Sequence, residues 1–216
     1  MSVAPAELSP AHAIGTLTAS LDGITVLPPR HIATIKSYLA MERPPASAAA
    51  PAGLPFTLVR LGGADHARYR TIYATLGARW LWWSRLMLSE IALSEVLADP
   101  AIEAYAVVAA SGDIGLIELD FREPGVADLA FLGLYEDHTG QGHGARLIGF
   151  AKSAVWSRPE VSRMTVNTCT FDSPAALGFY RRHGFAVVAQ AVEIVPDPRL
   201  SGLLPADAAP HVPMLG

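Results

Sequence analysis

The stretch Thr139-Gly140-Gln141-Gly142-His143-Gly144-Ala145 carries the clearest chemical signal in this chain. Three glycines alternate with other residues directly after an apolar run, Leu129 to Tyr135, and directly before a helical pattern. Glycine admits backbone conformations closed to other residues and lets a ligand approach without meeting a Cβ. Successive amide N–H groups at such a turn, backed by the positive end of the following helix, form an anion cradle. The expected ligand is a phosphate or pyrophosphate. No Gly-Lys-Ser/Thr follows Gly144, which excludes the P-loop pattern. The spacing is also wrong for a dinucleotide fingerprint, and the nearest later acid, Glu160, sits beside Pro159 in a loop.

A second segment, Asp172 to Phe185, has both a helix start and a helix stop. Ser173 is placed to cap, with Pro174 at the first helical position, and Gly184 fits the left-handed position after the last turn. Asp172, Ala176 and Tyr180 are spaced by four and share one face.

Together the two segments resemble the GNAT superfamily of acetyl-CoA-dependent N-acetyltransferases, over about residues 55 to 190. That family's pyrophosphate loop, Arg/Gln-x-x-Gly-x-Gly/Ala, is matched by Thr139, Gly142 and Gly144. Its later helix, with Asn, Ala, Tyr and Gly-Phe in fixed spacing, is matched by Asp172, Ala176, Tyr180, Gly184 and Phe185. Two positions depart: Thr139 stands for Arg or Gln, and Asp172 for Asn. The resemblance implies acetyl-CoA as cofactor, its pyrophosphate on Thr139, Gly140, Gln141, Gly142, His143, Gly144 and Ala145. It also implies cofactor contacts from Leu132, Leu134, Tyr135, Asp172, Ala176, Phe179 and Tyr180. The Leu134 N–H would polarise the thioester carbonyl, a donor worth about 3–4 kcal/mol. Tyr180 would face the departing thiolate. Its unperturbed pKa of about 10 exceeds the ~8.5 of a thiol, so hydrogen bonding fits better than strong acid catalysis.

Acyl transfer to an amine needs a base, because a protonated amine has no free lone pair. Glu118 interrupts the apolar strand Ile114 to Leu119, where an unpaired carboxylate would be costly. It is read as the catalytic base, with an ion-pair or hydrogen-bond partner as the alternative. Glu136 reads as a solvated loop acid, and Asp120 and Asp128 as weaker candidates for the base. Cys169 reads as a small buried thiol. Trp80, Trp82, Trp83 and Arg85 are expected around the acceptor, the tryptophans as an aromatic slot and Arg85 for an acceptor carboxylate. The histidines show no metal-like spacing, so no metal site is expected; His143 is expected to point to solvent or toward the phosphates.

These residues must be positioned by a compact fold. The 216 residues are 51% hydrophobic and 17% charged, enough for one domain with a substantial core. A net charge of −4 favours neither nucleic acid nor an anionic membrane. The single cysteine, and a start without a signal pattern, fit a cytoplasmic protein. The expected partners are a small-molecule amine acceptor and, in a homodimer, a second copy of the chain.

Along the chain, residues 1–54 read as an N-terminal extension: an unconstrained start, a β-hairpin from Ile24–Leu27 and Ile32–Met41, and an Ala/Pro-rich connector. Residues 55–195 read as the acetyltransferase-like domain. A helix over 65–76 is expected to stop at Gly77, and another spans 89–98. Three strands follow in meander (104–110, 114–121 and 127–135), then a helix over 144–156 and strands over 161–170 and 185–195. Residues 196–216 read as a tail on the surface. The fold class is α/β (α+β), with a mixed, mostly antiparallel sheet flanked by helices.

Overall fold

The computed structural model describes residues 22–42 and 54–215. The expectations for residues 1–21 and for the Ala/Pro-rich stretch at 43–53 lie outside the described residues. Seven strands form one sheet: β1 His31–Met41, β2 Thr57–Leu61, β3 Ile102–Ala109, β4 Gly112–Asp120, β5 Val126–Leu134, β6 Arg163–Cys169 and β7 Ala186–Pro196. Their spatial order is β2-β3-β4-β5-β6-β1-β7. All the pairings are antiparallel except β5 with β6. The helices are α1 His66–Trp80, α2 Glu90–Ala98, α3 His143–Trp156 and α4 Ala176–Arg182. None of the described helices is long and apolar enough to cross a membrane.

The alternation of the strands divides the core between two faces. On one face Leu61, Ala104, Ala106 and Leu116 meet Tyr69, Ile72, Tyr73 and Leu76 of α1 and Leu93 and Leu97 of α2. On the other, Leu39, Ile117, Leu119, Leu129 and Val166 meet Ile148, Ala151 and Val155 of α3, with Tyr180 and Phe185.

Four expectations need correction. The N-terminal hairpin does not form: Ile24 and Val26 are 92% and 84% exposed and bury nothing that would support a strand. Instead β1 is an interior strand of the same sheet, antiparallel to β6 on one edge and β7 on the other. Gly77 does not stop α1, which runs on to Trp80 and ends at Leu81 in the left-handed region. A Cβ at Gly77 would lie 2.7 Å from Trp82 Cβ, so this glycine makes room for the returning chain. α4 begins at Ala176 rather than at Pro174; Ser173 closes the turn before it, its hydroxyl accepting from Ala175 N at 3.4 Å and its carbonyl from Ala176 N at 2.8 Å. The tail does more than cover the surface. Arg199 is buried, paired with Asp197 and donating to the carbonyls of Ala208 and Val212, and it gathers the apolar residues Leu204, Ala208, Ala209 and Val212 against Ile32, Leu81 and Phe171.

Candidate active site

The sheet opens where β5 and β6 part. Their parallel ladder runs from Val126–Arg163 to Leu129–Val166 and stops there. On its other edge β5 carries one extra residue, Ala130, because Glu118 pairs with Phe131 while Leu119 pairs with Leu129. Such a bulge bends its strand. The second half of β5 therefore leaves β6, and a long cleft follows, lined by both strands, the α1–α2 connector and the glycine loop. Tyr135 donates its backbone N–H to Ile114 O on β4 at 2.7 Å. Alternation along the strand then turns the N–H groups of Leu134 and Leu132 toward the open side.

The glycine loop lies at the mouth of this cleft. Gly140 and Gly142 hold φ of +73° and +79°, and Gly142 is the residue before α3. A Cβ at either would meet nothing within 4 Å, so glycine is required there by the backbone conformation and the loop surface is open. The first amides of α3 lack intrahelical acceptors and point out of its N-terminal end. The flanking side chains are otherwise engaged. Thr139 Oγ1 donates to Glu136 O at 2.8 Å and Gln141 Nε2 to Asp137 O at 2.8 Å, so the cradle rests on backbone amides. His143 does not point to solvent: its ring packs edge-on against Phe56 and beside His138.

Tyr180 stands on α4 beside the parting strands. It is 8% exposed, packed between Phe179 and Phe185, and its hydroxyl hydrogen-bonds to none of the described residues. Burial raises its phenol pKa, and the charges of Asp172 and Asp128 raise it further. Asp172 holds the loop ahead of α4: Oδ1 accepts from Trp82 Nε1, and Oδ2 from Thr168 Oγ1 and from Cys169 N. Burial, then Asp172, pushes the Cys169 thiol up, consistent with a small packed thiol rather than a nucleophile.

Glu118 takes the ion-pair role. It is fully buried, with Oε1 accepting from Arg85 Nη2 at 2.5 Å and Oε2 from the Tyr69 hydroxyl. Burial, then the Glu118 charge, holds the Tyr69 phenol well above its usual value. Burial works against the Arg85 charge, but the Glu118 carboxylate outweighs it and raises that pKa as well. Arg85 lies over the Phe131 ring, 5.3 Å from its centre, and is 16% exposed at the cleft wall. Trp80, Trp82 and Trp83 also line the cleft, with Trp80 packed edge-on against His211 of the tail. Trp82 packs against Phe131, and Trp83 against the residues of the tail.

One contributor was not legible as part of the site. The interior strand β1 brings Tyr38 and Lys36 to the cleft opposite Asn167 and Cys169 of β6, although its residues lie in the expected extension. Asp128, at the last pairs before β5 and β6 part, also lines the cleft.

A family model described as the acetyltransferase (GNAT) family matches residues 73–185, 113 of the 216. No curated protein matches the chain. Solved structures of similar fold include a functionally unknown conserved protein from Staphylococcus epidermidis, 11% identical with a TM-score of 0.54 over 77% of this chain and 63% of that one. The chain thus spans less than two thirds of that protein's length. A protein assigned to the GNAT acetyltransferases from Novosphingobium aromaticivorans is 14% identical, with a TM-score of 0.53 over 78% of this chain and 67% of that one. An aminoglycoside acetyltransferase from an uncultured soil metagenomic sample is 17% identical, with a TM-score of 0.51 over 62% and 93%. At these identities the likeness shows the fold.

Proposed function

The chain belongs to the acetyltransferase (GNAT) family, and we propose on that premise that it moves acetyl from acetyl-CoA to a primary amine of a small molecule, by direct attack in a ternary complex. The observation that carries this reading is the wedge between β5 and β6, with the glycine cradle at one end and an aromatic wall at the other. The cradle fits a pyrophosphate, being open and built of backbone donors at a helix N-terminus. Acetyl-CoA would supply the activated acetyl group. Gly140 to Ala145 would hold its phosphates, and the cleft-facing amides of Leu132 and Leu134 the arm and the carbonyl. Those amides are fixed by the β4–β5 ladder, so they need not reorganise as negative charge develops on the carbonyl oxygen. Tyr180 lends a hydrogen bond to the departing sulfur. Trp82, Trp83 and Phe131 shape the acceptor side, and Glu118 holds Arg85 in that wall. The lone cysteine fits a reducing cytoplasm.

Calorimetry with acetyl-CoA and a thiol-release assay over a panel of primary amines test the reading. Binding with turnover of at least one amine supports it. Binding without turnover of any amine, small or peptide-borne, points to a CoA-binding module, and absence of binding overturns it.

A further inference from the structure

Resting on the acetyl-transfer reading above, we propose that Asp128 is a catalytic residue of the acceptor side: its carboxylate binds the acceptor ammonium and takes the proton that frees the nitrogen lone pair. Most acids that line the cleft are already paired or are exposed: Glu42 pairs with Arg163, Glu193 with Lys36, and Glu123 is exposed on the turn before β5. Glu118 is fully buried, with one oxygen held by Arg85 and the other by Tyr69. Asp120 is held through both oxygens by Arg122, Oδ1 accepting from Nε at 3.0 Å and Oδ2 from Nη2 at 2.5 Å. Asp172 is saturated by three donors. Glu136 lies on the outer loop, paired with Arg79. Among the described residues, Asp128 is the half-buried acid of this group with neither a cationic partner nor donors on both oxygens; its Oδ1 accepts from Thr165 Oγ1 at 2.6 Å, which leaves Oδ2 for a ligand.

Asp128 pairs with Thr165, one step before the last β5–β6 pair, so it stands at the vertex of the wedge. Ala127 and Leu129 turn into the core under α3, which places Asp128 on the opposite face with Glu118, Phe131 and the acceptor wall. It is nevertheless close enough to Tyr180 for its charge to raise that phenol. The carboxylate and the phenol therefore approach one vertex from the two faces of the sheet.

Electrostatics fits the role. Burial lifts the Asp128 carboxyl to about 6; the Thr165 hydrogen bond opposes the shift, and the charges of Asp120, Glu118 and Glu123 add to it. Arg85 and Arg122 face the same region but are committed to Glu118 and Asp120. A base of this strength is ionised at neutral pH and still accepts a proton readily. The step balances. Asp128 takes one proton from the ammonium; the nitrogen lone pair attacks the thioester carbon and the C–S bond breaks toward sulfur. The second N–H proton ends on the thiolate, and Asp128 returns its proton to solvent.

The test uses the full chain with acetyl-CoA, and 2-phenylethylamine as the probe amine suited to the aromatic wall. Should that amine not turn over, the slow transfer of acetyl to water is followed in its place. Wild type should show kcat/KM falling below about pH 6, and Asp128→Asn should lose that acid limb together with about a hundredfold in rate. Acetyl-CoA affinity by calorimetry should be unchanged. Thr165→Val, which removes the bond favouring the carboxylate, should move the limb to higher pH. Independently of activity, carboxyl 13C NMR should show one aspartate titrating near 6 that is missing in Asp128→Asn. A folded Asp128→Asn protein with wild-type rate and an intact acid limb overturns this assignment alone. Failure of the wild type to bind acetyl-CoA overturns the acetyl-transfer reading and this assignment with it.

Discussion

Trp82 donates its indole N–H to Asp172 Oδ1 at 3.0 Å, which ties the α1–α2 connector to the loop ahead of α4 across the cleft. The other oxygen of Asp172 accepts from Thr168 Oγ1 and Cys169 N, both at 2.9 Å. Three donors on two oxygens explain why a carboxylate stands where the family usually has asparagine. An amide would turn its NH2 toward at least one donor. Asp172→Asn should therefore cost about 1.5–3 kcal/mol, the range for a hydrogen bond to a charged group. Trp82→Phe, which spares the other two bonds, should cost less through this contact. Urea unfolding measures both, and an Asp172→Asn protein as stable as wild type would contradict this account.

The glycines of the cradle separate conformation from ligand approach. Gly142 holds φ of +79°, where an L-residue costs roughly 1–2 kcal/mol, so Gly142→Ala should lose both stability and acetyl-CoA affinity. Gly144 lies in the first turn of α3, and a Cβ there would make an ordinary 3.5 Å contact with Phe179. Gly144→Ala should keep or slightly raise thermal stability while weakening acetyl-CoA in calorimetry. Unchanged affinity in both variants would remove the loop from the cofactor site.

Glu118 and Arg85 should behave as a coupled pair. Removing one partner of a buried ion pair leaves an uncompensated charge and costs about 3–5 kcal/mol, whereas removing both together costs far less. Glu118→Gln and Arg85→Met should each destabilise, and the double variant should recover much of the loss in a urea double-mutant cycle. Any loss of rate in Glu118→Gln should be the same at every pH. A rate restored at high pH would return Glu118 to the role of base.

Asp128 gives stability its own pH signature. Its folded pKa of about 6 lies above the 3.8 of an unperturbed aspartate. Above pH 6 the group is ionised in both states, and its partial burial counts against folding by up to roughly 3 kcal/mol at 1.36 per unit. Between pH 6 and 4 the folded protein takes up the proton first and the penalty fades. Asp128→Asn should therefore raise stability at pH 7 and change it little at pH 4. Equal effects at both pH values in urea melts would mean that the carboxyl is not strained by burial. A variant more stable yet slower is the pattern expected of a residue kept for function.

What the sequence made legible was local. The glycine turn ahead of α3 and the left-handed Gly184 each depend on neighbours a few residues away, and Gly140, Gly142 and Gly184 all hold positive φ. The interior position of β1 was not legible, because its register is set by β6 and β7, more than a hundred residues on. Gly77 read as a helix stop because nothing in the local pattern shows Trp82 folding back onto it. The partners of Glu118 were hidden for the same reason: Tyr69 and Arg85 come from α1 and its connector. Asp128 looked like one acid among several until the pairing showed that the others were already neutralised or saturated.

Tyr180 closes the proton account on the thiolate side. Its phenol is pushed up first by burial and then by Asp172 and Asp128, which makes it a poorer acid than a free tyrosine. Complete proton transfer to a thiolate is therefore still more uphill than the reference values imply, and hydrogen-bond donation remains as its contribution. Because the hydroxyl bonds to none of the described residues and the ring keeps its contacts with Phe179 and Phe185, Tyr180→Phe should leave the melting temperature nearly unchanged. A lost hydrogen bond to a developing charge is worth about 1.5–3 kcal/mol. That corresponds to roughly ten- to a hundredfold in rate. Acetyl-CoA affinity should fall little, since a neutral thioester sulfur is a poor acceptor and the bond strengthens only as charge develops. Single-turnover thiol release, with chemistry rate-limiting, measures the effect. An unchanged rate in the folded variant would remove Tyr180 from the reaction and leave the sulfur to be protonated by solvent.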